Sequence, residues 1–171
     1  VGALGYLPDI NELENPIDKY ASQVISSDND LLFTYSESDD NRIMIDYSEL
    51  SPHLINALIS TEDIRYYTHS GIDIIGLGRA IFKTIILSQS ESGGGSTITQ
   101  QLAKNLFLDA KQTLSRKISE MFLAHYLESH YSKDDILELY VNVIYYGNGN
   151  TGIYAASQSF FGKAPRELNF N

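Results

Sequence analysis

Residues 94–105 combine a glycine-rich loop with the polar start of a helix, and they hold several groups able to bind an anion. The segment is GGSTITQQLAKN. Ser96 or Thr97 can cap the helix, and Gln100 follows Thr97 by three residues, as in a capping box. The first-turn N–H groups then point toward the loop, which suits a phosphate. The pattern predicts a ligand-binding loop; a plain glycine-rich linker with a helix cap is the alternative.

The helix after this loop has an apolar stripe and a polar side. The stripe comprises Ile98, Leu102, Ala103, Leu106 and Phe107. Gln100, Gln101 and Lys104 lie away from the centre of that stripe. We therefore expect these three side chains to face a cleft or solvent.

Glu62 is the leading candidate for acid–base chemistry. It ends an apolar helix, beside Asp63 and just before a turn that contains aromatic residues, a histidine and a glycine. A carboxylate that leaves a helix into such a turn loses hydration, which gives it the basicity that a general base needs. The alternative is a solvated acid at a helix C-terminus, where the helix dipole disfavours it.

A basic cluster stands out in an acidic chain. The 171 residues include 12 Lys and Arg against 22 Asp and Glu, a formal charge of −10, which argues against non-specific binding of nucleic acid. Lys104, Lys111, Arg116 and Lys117 can still form a local site for a phosphate group. Glu120 lies one turn after Arg116. The alternative for Lys104, Arg116 and Lys117 is that they are solvated charges, and for Glu120 that it forms a weak, exposed ion pair with Arg116.

The length suits one domain with a core, and the chain divides near residue 50. Residues 1–50 contain Pro8 and Pro16 and predict an irregular lead-in, then a strand, an Asp/Asn turn and a second strand over residues 23–35, and a third strand over 41–47. No cysteine, signal peptide or membrane-spanning apolar run is visible. From residue 51 the apolar spacing is helical.

Start and stop signals place the helices. Ser51-Pro52 is a cap followed by proline at the first helical position, Asp73 can cap a helix over 74–87, and Ser132 opens another helix with Asp135. An apolar stripe predicts a helix over 116–131. Glycines at 147, 149 and 152 end the helix that begins at Ser132, and residues 153–161 form the last one.

Four segments, in order along the chain, resemble the signatures of the family 51 glycosyltransferases. These are the peptidoglycan glycosyltransferases of class A penicillin-binding proteins and of monofunctional cell-wall polymerases. Residues 61–73 resemble the first signature, E-D-x-x-F-x-x-H-x-G-x-D, and residues 94–105 the second. Residues 116–120 resemble the third, R-K-x-x-E, and residues 133–163 contain the elements of the fourth.

The chain departs from the family pattern at a few places. Tyr66 replaces the usual phenylalanine, Ile64 stands where a polar residue is common, and Gln112 occupies the place of a frequent arginine. The family continues beyond the position of Asn171 into a fifth signature. The resemblance therefore implies a fragment: residues 1–50 as linker and β element after a missing membrane anchor, and 51–171 as a C-terminally truncated glycosyltransferase domain.

The resemblance implies a mainly α, lysozyme-like helical domain with a small N-terminal β element. It implies polymerisation of lipid II into glycan strands, with inversion at the anomeric carbon and release of polyprenyl diphosphate. Glu62 becomes the general base and Glu120 the second catalytic carboxylate, which can hold a divalent cation such as Mg or Mn. His69 becomes a structural hydrogen-bonding residue. The expected substrate-binding residues are Ser96, Thr97, Gln100, Gln101, Lys104, Asn105, Arg116 and Lys117.

The implied partners are lipid II, the growing glycan strand, the membrane and other cell-wall synthesis proteins. The implied location is the outer face of the bacterial cytoplasmic membrane. The helix over 74–87, with Leu77, Ile81, Ile85 and Ile86, is a candidate for a membrane-facing lobe, and a buried core helix is the alternative. Two other functions stay open: a lysozyme-like lytic transglycosylase or muramidase, and a truncated domain that binds precursor without turnover.

Overall fold

The structure is a computed structural model that describes residues 22–25, 31–35, 43–87, 95–108 and 114–170. Within these ranges the protein is mainly helical with two small two-stranded sheets, which confirms the expected fold class. The elements are β1 (Ser22–Ile25), β2 (Leu31–Tyr35), α1 (Pro52–Glu62), α2 (Ile74–Leu87), α3 (Ile98–Phe107), α4 (Leu114–His130), α5 (Lys133–Val143), β3 (Tyr145–Gly147), β4 (Asn150–Thr151) and α6 (Ile153–Phe161). Short 3-10 turns lie at Tyr47–Glu49, Tyr66–Thr68 and Pro165–Glu167.

The first two predicted strands are confirmed, and the turn predicted between them lies outside the described residues. β1 and β2 pair antiparallel, with Ser22 opposite Tyr35 and Ile25 opposite Leu31. The third predicted strand, over 41–47, is wrong in its described part, because residues 43–46 have no regular secondary structure and pair with none of the described strands. Instead, Ile45 N donates to Asn142 Oδ1 at 3.0 Å and Asn142 Nδ2 donates to Ile45 O at 2.9 Å. A buried amide side chain on α5 thus supplies the hydrogen bonds that a neighbouring strand would provide.

The predicted caps set the helix starts. Ser51 Oγ accepts from His53 N at 3.2 Å, with Pro52 at the first position of α1. Asp73 Oδ1 accepts from Gly76 N at 3.0 Å at the start of α2. Ser132 opens α5 with a complete capping box. Each cap satisfies an N–H that the helix itself leaves unpaired.

The core lies where α3, α4 and α5 meet. Its fully buried side chains include Ile98, Leu102, Leu123, Leu127, Ile136, Leu137 and Tyr140. α3 packs against both α4 and α5, so it is central to the described fold. The first turn of α3 is buried beyond its apolar stripe, since Thr99 and Gln100 are also inside. The expectation that Gln100 faces a cleft or solvent is therefore wrong.

α2 exposes large apolar side chains. Ile74, Ile75 and Phe82 are 79 %, 69 % and 55 % accessible to solvent. Leu77 is half-buried, and the side chains of Ile81, Ile85 and Ile86 lie outside the described part of the structure. The described side chains of α2 thus do not form a buried core helix. Within the described ranges, none of the helices combines the length and the hydropathy that crossing a bilayer requires.

Candidate active site

Glu62 is the last residue of α1, and its carboxylate is held by a residue of α3. Gln101 Nε2 donates to Glu62 Oε2 at 2.9 Å. Glu62 is exposed, so the loss of hydration expected from the sequence is not seen, whereas the adjacent Asp63 is buried. The carboxylate therefore faces solvent, where a substrate hydroxyl could reach it, and is oriented by one directed hydrogen bond.

A second hydrogen bond fixes the amide that holds Glu62. Tyr140 Oη donates to Gln101 Oε1 at 3.0 Å, so the amide nitrogen of Gln101 is the atom directed at Glu62. Tyr140 is buried, and burial together with the nearby charge of Glu62 raises the pKa of its hydroxyl. A hydroxyl that keeps its proton remains a donor. Two hydrogen bonds thus link α5 through α3 to the end of α1, by way of Tyr140, Gln101 and Glu62.

Asp63 ties the end of α1 to the start of α3. Its carboxylate lies 2.9 Å from His69 Nε2 and accepts from Ile98 N at 3.0 Å. His69 Nδ1 accepts from Gly71 N at 3.2 Å, so the ring carries a proton on Nε2 for Asp63. The histidine therefore has the structural role that the resemblance implied. Asp63 was not among the predicted site residues, although it directly follows Glu62 and lies six residues before a histidine.

Gly71 allows this turn to pack against α4. Its φ is +88°, a conformation that residues with a side chain rarely adopt, and a Cβ there would lie 2.7 Å from the carbonyl carbon of Ala124. Its carbonyl accepts from Thr97 Oγ1 at 2.7 Å. The glycine of the first signature thus anchors the residue that caps α3.

Thr97 and Gln100 form the predicted capping box. Gln100 N donates to Thr97 Oγ1, and Thr97 N donates to Gln100 Oε1, each at 3.1 Å. Both residues are buried, so the arrangement shapes the start of α3. Direct contact of these two side chains with substrate stays a prediction.

The N-terminus of α3 does not offer the phosphate site that the glycine-rich loop suggested. Ile98 N already donates to the carboxylate of Asp63, and Gln100 N donates to Thr97. A protein carboxylate thus occupies the position that an external anion would take at a helix N-terminus. Cationic side chains are better placed than this helix N-terminus to bind an anion in this region.

Those cationic side chains surround Glu120 on α4. Arg116 Nε lies 3.0 Å from Glu120 Oε1, and Lys117 Nζ lies 2.7 Å from Glu120 Oε2. Lys117 Nζ also donates to Ser96 Oγ at 2.6 Å. Glu120 is buried, with 3 % of its surface accessible, so it is not the exposed half of a surface ion pair. The third signature folds into one compact ion cluster beside the start of α3.

Comparison with known proteins assigns the chain to a family. Residues 28–171 match the family model described as Transglycosylase. The chain belongs to the transglycosylase family. The match covers every signature segment named above and confirms the resemblance to family 51 glycosyltransferases.

Curated relatives of this transglycosylase chain are penicillin-binding proteins. It is 42 % identical over 165 residues, 96 % of its length, to penicillin-binding protein 1A of Escherichia coli, and 44 % identical over 162 residues, 95 % of its length, to penicillin-binding protein 1A of Vibrio cholerae. It is 45 % identical over 129 residues, 75 % of its length, to penicillin-binding protein 1F of Bacillus subtilis. The matches cover 19 %, 19 % and 18 % of these relatives, so the chain spans about a fifth of their length.

Lys104 and Asn105 lie on the exposed side of α3 in this transglycosylase chain. Among the described residues, Lys104 has no ion-pair partner, in contrast to Arg116 and Lys117. Gln101 precedes Lys104 by three residues on the same helix, so the amide that holds Glu62 and this lysine lie on neighbouring surface. Lys104 is thus an exposed cation on this surface, and its contact with substrate stays a prediction.

The residues around Glu120 do not fit a divalent cation. From the described residues, Glu120 Oε1 accepts no directed hydrogen bond, but an ion bound to it at about 2 Å would lie against the guanidinium of Arg116. Oε2 already contacts the ammonium of Lys117. In the described ranges, no group of three or more His, Cys, Asp or Glu side chains is placed to share a metal ion. The cation expected near Glu120 stays a prediction that this geometry does not support.

Proposed function

We propose that this chain is a peptidoglycan glycosyltransferase that polymerises lipid II into glycan strands, with inversion at the anomeric carbon and release of polyprenyl diphosphate. The observation that carries the proposal is the position of α3. Gln101 on this helix holds Glu62, and Ser96 just before it contacts Lys117, which pairs with Glu120. One element therefore joins an accessible carboxylate to a cluster of cations, the two functions that transfer from a lipid-linked diphosphate donor requires.

Glu62 acts as the general base in this proposal. Its carboxylate takes the proton of the acceptor sugar 4-hydroxyl as that oxygen attacks the anomeric carbon of the growing strand. The bond between the anomeric carbon and the diphosphate oxygen breaks on the opposite face, and the diphosphate leaves with the electron pair. Attack opposite the leaving group inverts the anomeric configuration. Gln101 keeps the carboxylate in position through this step.

Lys104, Arg116 and Lys117 stabilise the leaving diphosphate. Negative charge grows on the bridging oxygen in the transition state, and cations placed beforehand stabilise that charge without reorganisation. A diphosphate is a good leaving group, so the reaction needs no strong general acid. Glu120 is held by two cations and is not placed to donate a proton.

A lipid-linked donor requires that the site lie near a membrane. The exposed Ile74, Ile75 and Phe82 of α2 suit contact with lipid or with the polyprenyl tail. We propose that the domain works at the outer face of the bacterial cytoplasmic membrane. Its partners there would be lipid II, the growing glycan strand and other cell-wall synthesis proteins.

Replacement of Glu62 by glutamine tests the proposal. Glu62→Gln keeps size and hydrogen bonding but removes the base, so polymerisation of lipid II by the full-length protein should fall by on the order of 10²–10⁴, with an unchanged melting curve. Glu49→Gln, at another exposed carboxylate, is the matched control and should behave as wild type. A Glu62→Gln variant with more than about a tenth of wild-type turnover would show that Glu62 is not the base.

Assays of the same full-length protein distinguish a polymerase from a lytic enzyme. The full-length protein should extend lipid II into long strands and leave lipid-free peptidoglycan uncut, because only a hydrolase must admit and activate water. Soluble muropeptides released from lipid-free peptidoglycan, with no growth on lipid II, would establish the lytic function. Binding of lipid II without either product would establish a precursor-binding domain.

A further inference from the structure

We propose that Glu120 is a positioning residue that assembles Arg116 and Lys117 into an anion receptor, and that it does not bind a divalent cation. The inference rests on the proposed function, since the anion it concerns is the diphosphate of the donor. It assigns the second carboxylate a task that the reaction scheme alone leaves open.

Each carboxylate oxygen of Glu120 contacts a different cation. Arg116 Nε lies 3.0 Å from one carboxylate oxygen and Lys117 Nζ lies 2.7 Å from the other. All three residues belong to α4, at spacings of three and four residues, so they lie on one face of the helix. The cluster contains two positive charges and one negative charge and therefore carries a net positive charge toward a ligand.

Burial explains why a carboxylate is needed at this point. Two cations brought close together in a poorly hydrated site repel each other strongly. A buried carboxylate between them removes most of that repulsion and lets both side chains keep one geometry. Glu120 is 3 % accessible, whereas Lys117 is more exposed, with 35 % of its side chain accessible. The carboxylate of Glu120 thus lies inside, and at least Lys117 extends toward the surface. Binding of an external anion requires this arrangement.

Ser96 aligns the receptor with the rest of the site. Its hydroxyl accepts from Lys117 Nζ at 2.6 Å, and it directly precedes the cap of α3. The same helix carries Gln101, which holds Glu62. The cation pair is therefore positioned relative to the base through α3, as the two ends of one reacting bond require.

Binding of inorganic pyrophosphate to the full-length protein, measured by calorimetry, tests this assignment because three roles for Glu120 predict three different results. A positioning role predicts that Glu120→Gln weakens pyrophosphate binding about tenfold, both in EDTA and in Mg²⁺. A purely electrostatic role predicts tighter binding, since the variant loses a negative charge. A metal-ligand role predicts weaker binding in Mg²⁺ only. Either of the last two results would overturn the inference.

Glu128→Gln is the matched control. Glu128 also lies on α4, its side chain is 6 % accessible, and it pairs with a lysine, Lys133, at 2.7 Å and accepts from Thr99. Loss of its charge should lower the free energy of unfolding but leave pyrophosphate affinity at the wild-type value. An equal loss of affinity in Glu120→Gln and Glu128→Gln would indicate a general structural effect and overturn the inference.

Ser96→Ala gives an independent reading if Glu120→Gln fails to fold. It removes one acceptor of Lys117 Nζ and leaves both cations and the carboxylate in place, so affinity for pyrophosphate in EDTA should fall about threefold. Unchanged affinity would count against a preassembled receptor. If wild type itself does not bind pyrophosphate, the inference fails, whereas lipid II polymerisation by wild type and Glu62→Gln still decides the proposed function separately.

Discussion

Tyr140 determines which end of the Gln101 amide faces Glu62. Its hydroxyl donates to Gln101 Oε1 at 3.0 Å, and the amide nitrogen then donates to the carboxylate at 2.9 Å. Because Tyr140 is 1 % accessible and packed in the core, its hydroxyl cannot easily move. The orientation of an exposed candidate base is thus set by a side chain in the interior.

We predict that Gln101→Leu lowers kcat for lipid II polymerisation by about 10²-fold, because a small displacement of a reacting group has effects of that size. KM should change little, since Gln101 orients the base. Tyr140→Phe should give a smaller loss of kcat. In this variant the Gln101 amide can still donate to Glu62, but nothing prevents it from rotating so that its oxygen and nitrogen exchange places. Steady-state kinetics of the two variants and wild type provides the measurement. Wild-type kcat in Gln101→Leu would contradict this orienting role.

Lys104→Ala should separate catalysis from stability. The lysine is exposed on α3, so the free energy of unfolding should stay within about 0.5 kcal/mol of wild type. Loss of a cation that stabilises the leaving diphosphate should lower kcat about 10²-fold. Arg166→Ala, at another exposed cation, serves as control and should change neither quantity. A purely stability-driven loss of activity would argue against contact between Lys104 and the diphosphate.

The capping boxes of α3 and α5 give a matched pair for stability. Thr97→Ala removes a cap and leaves the buried carbonyl of Gly71 without its donor, so it should cost about 2–4 kcal/mol in the free energy of unfolding and also reduce activity. Ser132→Ala removes an exposed cap at α5 and should cost about 1 kcal/mol with activity retained. Urea unfolding and lipid II assays compare the two. Equal costs would show that the buried bond to Gly71 contributes little.

Acid should weaken the link between Arg65 and Asp73. The hydrogen bond from Arg65, aided by the N–H of Gly76, holds the pKa of Asp73 below its usual value. A carboxyl group with a lowered pKa stabilises the folded state above the unfolded pKa of about 4 and loses that contribution as pH falls through the folded value. Asp73→Asn should therefore be less stable than wild type at pH 7, and the difference should shrink toward pH 2–3. Urea midpoints that differ equally at both pH values would contradict this linkage.

Local signals in the sequence predicted most of the helices. Serine, threonine and aspartate caps act on the nearest N–H groups, so Ser51, Thr97 and Ser132 mark helix starts without knowledge of the fold. The last helix, over 153–161, lies between glycines and has the predicted bounds. Apolar spacing likewise placed α3 and α5.

The parts that sequence could not predict depend on contacts between distant residues. Residues 43–46 have a strand-like pattern, but their hydrogen-bond partner is the side chain of Asn142, 97 positions beyond Ile45. Gln100 has the spacing of a cleft-facing residue, yet packing of α3 against two helices buries it. In the sequence, Glu120 has the pattern of an exposed charge. Only the structure shows that it is buried between Arg116 and Lys117. The small hairpin of β3 and β4 was missed because its strands are only three and two residues long and adjoin glycines.

The amide of Asn142 also has a mechanical consequence. It holds the backbone of Ile45 by two hydrogen bonds, and Glu138 of the same helix accepts from Tyr47 N at 2.7 Å. We expect tension applied at residue 43 to be transmitted to α5 through these two side chains. α5 carries Tyr140, so a pull on the N-terminal side loads the helix whose tyrosine orients Gln101 against Glu62. We therefore expect the position of the candidate base to respond to force on a segment remote from it in sequence.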